Sequence, residues 1–188
     1  MIFIKRNMKT DKNTKDFGLP TQREIRVFLD SIEDTRDMLM ARVLYETGCT
    51  IGEMVRIKAS DVLGSTIRIA GRQQRFPRVS GRLSKSIRQY KEGNRIQEGH
   101  FLFSARHGSG ITERRARQIL GGLLQKAFSR EINPHKIRYC HAAHAYSDGV
   151  LLQSIARQLG ITSYRAFRII EEAGIPPAHD YQKFLSKV

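Results

Sequence analysis

Residues 133–149 read Asn133-Pro-His-Lys-Ile-Arg-Tyr-Cys-His-Ala-Ala-His-Ala-Tyr-Ser-Asp-Gly149. Asn133 suits a helix cap, Pro134 suits the first helical position, and Gly149 suits the end. Within that helix His135 and Arg138 are spaced H-x-x-R, with His141 and His144 on the turns that follow. Residues three apart share a helix face, so these side chains line one side of the helix.

Working outward, two more helices follow and end near Gly160 and Gly174, before Pro176-Pro177. Upstream, the pattern predicts a helix from Thr112 to about Arg130, with Ile119, Leu120, Leu123, Leu124 and Phe128 on one face. Arg114, Arg115 and Arg117 stand near its start, where cations oppose the helix dipole and serve a phosphate ligand better. Thr21-Gln-Arg-Glu24 and Thr50-Ile-Gly-Glu53 are capping boxes, and Thr50 is expected to open a helix running to about Lys58. Thr35 is expected to cap the intervening helix, which stops at Gly48. Thr66 to Ala70 alternates at period two, and Gly71 to Val79 reads as the turn and return strand of a hairpin, with Pro77 suiting an edge. Leu83, Ile87 and Tyr90 mark a further helix, and residues 100–103 a short extended piece. The expectation is an α+β domain, mostly α, with one small antiparallel sheet. It spans residues 19–188 behind a basic arm at 1–18, with 176–188 able to detach or swap.

Thirty-three Lys and Arg against eighteen Asp and Glu give a 188-residue chain a formal charge of +15. Such an excess, spread among apolar positions, points to a polyanion partner, and nucleic acid fits it better than a membrane surface. No apolar run reaches the ~18 residues of a membrane span. Cys49 and Cys140 lack metal-type spacing, so neither a zinc site nor a disulfide framework is expected, and an intracellular protein with reduced thiols is the default. No metal or cofactor is expected, and a DNA-binding reading would make it cytoplasmic and nucleoid-associated.

Leu44-Tyr-Glu-Thr-Gly-Cys-Thr-Ile-Gly-Glu-Met-Val-Arg-Ile-Lys-Ala-Ser-Asp61 resembles the first active-site box of the tyrosine recombinases (phage-integrase family), LYxTGLRxSELxxLxxxD. The hairpin at 67–79, Leu102-Phe103 and the 133–160 block resemble the lysine-bearing strand pair, the "LF" and the second box that follow. The resemblance covers roughly residues 19 to 175. It implies a recombinase catalytic-domain fold, in which two arginines and a histidine clamp the scissile phosphate. A lysine then protonates the leaving oxygen and a tyrosine attacks. Carried over, Arg138 takes the second arginine and His135 the histidine. Thr50 stands where the first arginine belongs, and its expected role is the helix cap. Arg72 or Arg75 stands in for the lysine, Ile161 for the third histidine or tryptophan, and Ile170 for the tyrosine. Tyr181 is the remaining weak nucleophile candidate.

The resemblance therefore implies a catalytically degenerate DNA binder with an architectural or regulatory role, meeting phosphates through Arg72, Arg75, Arg114, Arg115, Arg117, His135 and Arg138. The family's N-terminal clamp domain has no room before Pro20, so contact over one face, or a homodimer, is expected. Residues 154–169 also read as a helix-turn-helix offering Ser163, Tyr164, Arg165 and Arg168 to a groove, the pattern of a transcriptional regulator. A divergent recombinase using Tyr181, and a protein-interaction module on the same fold, are the other readings. His144 is expected to support the fold.

Overall fold

The computed structural model describes residues 19–71, 74–104 and 109–175. The arm at 1–18, Arg72, and the 176–188 segment with Tyr181 lie outside the described residues.

Helix α1 (Gln22–Asp30) starts on the Thr21 capping box and buries Ile25, Phe28 and Leu29. Helix α2 (Thr35–Thr47) is capped by Asp34 rather than Thr35, because the Asp34 carboxylate accepts the Asp37 N–H at 2.9 Å. This helix is the axis of the domain. Leu39, Met40, Val43 and Leu44 are all buried, since neighbours pack around it on several sides. It ends at Gly48, whose φ of 59° is left-handed. A Cβ there would lie 2.1 Å from Leu159 Cδ2, so glycine is required on two counts.

Helix α3 (Ile51–Met54) is a single turn, shorter than its pattern predicts. The chain leaves the helix because residues 57–59 pair instead with 100–102: Leu102 N–H donates to Ile57 and Ala59 N–H to His100. A 3-10 turn (Ala59–Asp61) leads into β1 (Val62–Leu63), paired antiparallel with β2 (Thr66–Ile67). The sequence pattern missed β1, which at two residues is too short to show alternation. The two arms of the expected hairpin pair: Ile69 and Arg75 exchange backbone bonds of 2.9 and 3.2 Å, and Thr66 bridges Arg78. Pro77 takes part through its carbonyl, which accepts from Ile67.

Ser80 caps α4 (Gly81–Gly93) and Thr112 caps α5 (Glu113–Ala127). Helices α6 (Lys136–Ser147), α7 (Leu152–Leu159) and α8 (Ser163–Glu172) follow. Gly149, Gly160 and Gly174 close them, all at positive φ. Helix α6 starts just after Asn133 and Pro134, because the Asn133 side chain caps an isolated turn by accepting the His135 N–H at 2.9 Å.

Most buried apolar side chains form one core around α2, and a small second cluster holds Ala142, Ile155, Leu159, Ile169 and Ile170. Helices α6, α7 and α8 pack against one another around that cluster, and α6 carries them onto α2. The architecture is α+β and mostly helical, as the sequence predicts. Among the described residues no helix is long and apolar enough to cross a membrane.

Candidate nucleic-acid interface

The C-terminal end of α2 is where the motif residues meet. Thr50 caps α3 as its sequence suggests: its hydroxyl accepts the Glu53 N–H at 3.2 Å, and Glu53 Oε2 accepts the Thr50 N–H at 2.8 Å. Both Glu53 oxygens then accept from Arg75, at 2.7 and 2.9 Å. Burial alone raises the Glu53 pKa. The Arg75 hydrogen bonds, the Thr50 N–H and the charges of Arg75 and Arg138 outweigh it and hold the carboxyl below its usual range.

Arg138 reaches the same carboxylate from α6, with Nη1 3.9 Å from Glu53 Oε2. Its own hydrogen bonds go to the backbone: Nη1 to the Gly48 carbonyl at 2.6 Å and Nη2 to the Leu159 carbonyl at 2.7 Å. These two carbonyls sit at the ends of α2 and α7, where intrahelical partners run out. Arg138 therefore joins three helices. Burial, then the charge of Arg75, lowers its pKa.

His135 is different. It is exposed at the head of α6, with its ring edge-on to Tyr139 at a centroid distance of 5.4 Å. Burial, then the charges of Arg138 and Arg165, pushes its pKa below the ordinary histidine value and favours its neutral form. It borders a cleft of about 650 Å³ with Thr50, Gly52, Glu53, Arg56, Glu113 and Arg117.

The predicted contact residues thus divide. Arg114, Arg115 and Arg165 are exposed. Arg117 is exposed but paired with Glu113 at 2.6 Å, and Arg168 with Glu171 at 2.7 Å. Exposed pairs of this kind are weak and can re-pair with phosphate. Arg75 and Arg138 are each only 8 % exposed, with guanidinium groups turned to protein partners. In this arrangement both guanidinium groups are engaged by protein groups beside the site. The cause is tertiary: folding brings Glu53 within 2.7 Å of Arg75 and the Gly48 and Leu159 carbonyls within 2.6 and 2.7 Å of Arg138. Arg56, on the cleft rim and exposed, lies within the first box, a signal the sequence reading did not use.

The positions matched to the third box and the tyrosine hold Ile161, half-buried, and Ile170, 1 % exposed within the second apolar cluster. Tyr164 lies far from burial, 72 % exposed on the first turn of α8. His144 serves the fold. Its Nε2 donates to the Pro20 carbonyl, so its Nδ1 accepts from the Tyr45 hydroxyl, each at 3.0 Å. His141 packs beside Tyr45 and Gly48, and burial pushes its pKa down to about 4. Among the described residues no cluster of three His, Cys, Asp or Glu is placed to hold a metal ion.

A helical domain around a small hairpin, with the H-x-x-R pair seated against the first box, is the architecture of tyrosine recombinase catalytic domains. The fold matches XerA recombinase with a TM-score of 0.74 at 19 % identity, over 90 % of this chain and 64 % of that one. It matches the Tn1549 transposon integrase in complex with circular intermediate DNA with a TM-score of 0.73 at 14 % identity, over 95 % and 69 %. The model of the phage integrase family matches residues 21–169, and the chain belongs to that family. Tyrosine recombinase XerC of Staphylococcus aureus is 31 % identical over 163 residues, 81 % of this chain and 55 % of that relative. The XerC of Staphylococcus aureus strain JH9 is 32 % identical over 139 residues, 70 % and 47 %. The chain spans about half the length of the curated relatives it matches.

Proposed function

We propose that this chain binds double-stranded DNA on a recombinase scaffold without carrying out strand transfer itself, in an architectural or regulatory role on the nucleoid. The observation that carries the reading pairs a cationic cleft rim with the loss of the nucleophile position. Exposed Arg56, Arg114 and Arg115, with Arg117 and His135, lie on elements meeting at one cleft, while the tyrosine position holds the buried Ile170. A cationic rim meets phosphates whatever the sequence. An isoleucine has no nucleophile, and Thr50 has no charge to steady a transition state. The solved relatives XerH, bound to its difH substrate, and the Tn1549 integrase, with transposon right end DNA, are DNA complexes, which supports the choice of partner.

A second reading rests on α8. Its first turn projects Ser163, Tyr164 and Arg165 outward, which suits sequence-selective contact by a regulator. The test is a gel-shift titration on an unrelated duplex at two salt concentrations, with a denaturing gel on a nicked duplex in parallel. A salt-sensitive shift without adduct is expected. A covalent adduct lost in Tyr181→Phe overturns the non-catalytic reading, and no binding at physiological salt points to a protein-interaction module. A strong preference for one sequence, lost on changing Tyr164 and Arg165, favours the α8 reading.

A further inference from the structure

Arg75 comes from an exposed-looking hairpin, yet its side chain is 8 % exposed. All three of its nitrogens are engaged. Nη1 and Nη2 grip Glu53 in a bidentate pair, and Nε donates to the Gln158 carbonyl of α7 at 3.1 Å. Its stem and head lie over Gly160, where a Cβ would come within 2.8 Å of Cδ and 3.0 Å of Nη1. The hairpin is fastened to α7 a second time, because the Gln158 side chain accepts the Arg78 N–H and donates to the Arg78 carbonyl, at 3.0 and 2.8 Å.

The electrostatics explain why a long side chain should be drawn in here. Glu53 is a half-buried carboxylate, and position 50 offers it only a backbone N–H and a hydroxyl. Arg138 approaches no nearer than 3.9 Å and spends its donors on backbone carbonyls. Without Arg75 the carboxylate keeps only the 3.9 Å approach of Arg138 and loses its hydrogen-bonded cation, a costly state for a partly buried charge.

We propose that Arg75 supplies, from the hairpin, the guanidinium that position 50 lacks. It is a positioning residue: it holds Glu53 between Thr50 and Arg138, ties the hairpin to α7, and keeps the wall beside His135 assembled. The proposal concerns the folded chain alone and stands whether or not DNA is the ligand.

The experiment is a four-member set: wild type, Arg75→Ala, Thr50→Arg, and the double variant, followed by thermal unfolding. Arg75→Ala lowers the midpoint, on the order of 5 °C or more if most of a buried pair's worth is lost. Thr50→Arg lowers it too, since it removes the cap and crowds a third guanidinium onto a satisfied carboxylate. In the Arg75→Ala background the same Thr50→Arg change raises the midpoint, because the new arginine can take Glu53. Thr50→Gln, which lacks the charge, does not rescue. The loss of stability in acid that comes from Glu53 is blunted in Arg75→Ala and returns in the double variant. If Thr50→Arg lowers the midpoint equally in both backgrounds, or if Thr50→Gln rescues as well, the relocation is wrong. Should Arg75→Ala yield no soluble protein, recovery of soluble protein by Thr50→Arg supports the proposal. Failure of that change to recover it, in both the Ala and an Arg75→Gln background, overturns the proposal.

Discussion

Lowering the pH from 7 to 5 should destabilise this domain chiefly through His141. The side chain is enclosed by Tyr45 and Gly48 and accounts for its charge poorly, so its folded pKa lies at about 4. In the unfolded chain a histidine titrates near 6.5. A depressed folded pKa means that the unfolded state binds the extra proton. The stability is therefore complete above pH 6.5 and is lost as the pH falls from there towards 4. Within that window the loss approaches 1.36 kcal/mol per pH unit, so the step to pH 5 costs about 2 kcal/mol. His144, whose pKa is also lowered by burial, adds a loss of the same sign. Glu53, held below its usual range, contributes only at lower pH, so the interval from 7 to 5 isolates the histidines. The assay is urea unfolding at both pH values for wild type and His141→Gln. The variant should lose roughly 2 kcal/mol less than wild type over the same step. An equal loss in the two proteins would refute the assignment to His141.

Other expectations can be checked with the same protein. Replacing both Arg114 and Arg115, exposed on the first turn of α5, by alanine should lower the slope of log affinity against log salt by roughly 2, read by gel-shift titration at several salt concentrations. An unchanged slope would remove them from the interface. Gly160→Ala forces a side chain into a left-handed residue of φ 66° and pushes on Arg75, so it should cost about 1–2 kcal/mol for the backbone and more for the displaced ion pair. Denaturant unfolding measures the sum. Ile170→Tyr should not create a strand-cleaving enzyme, because the new ring would lie in a packed cluster and Thr50 would still lack charge. It should instead overpack and cost about 1–3 kcal/mol, with no covalent adduct on a denaturing gel.

What the sequence by itself determined is local. The caps at Thr21, Thr50 and Thr112, the helix ends at Gly48, Gly149 and Gly160, and the hairpin at 66–79 are written in residues a few positions apart. Backbone satisfaction at a helix end depends on those neighbours alone, so the helical order and the match to the recombinase boxes could be read directly. Asp34 displaced Thr35 as a cap, and α3 stopped early, where two local options competed or a distant strand intervened. Only the tertiary structure decided where the arginines point. Arg75 finds Glu53 and Gln158, and Arg138 finds Gly48 and Leu159, all far away in the chain. A long charged side chain has many rotamers, and its place is set by whichever unsatisfied carboxylate or carbonyl folding brings within reach. No spacing rule encodes that, which is why the protein partners of Arg75 and Arg138 could be read only from the folded chain.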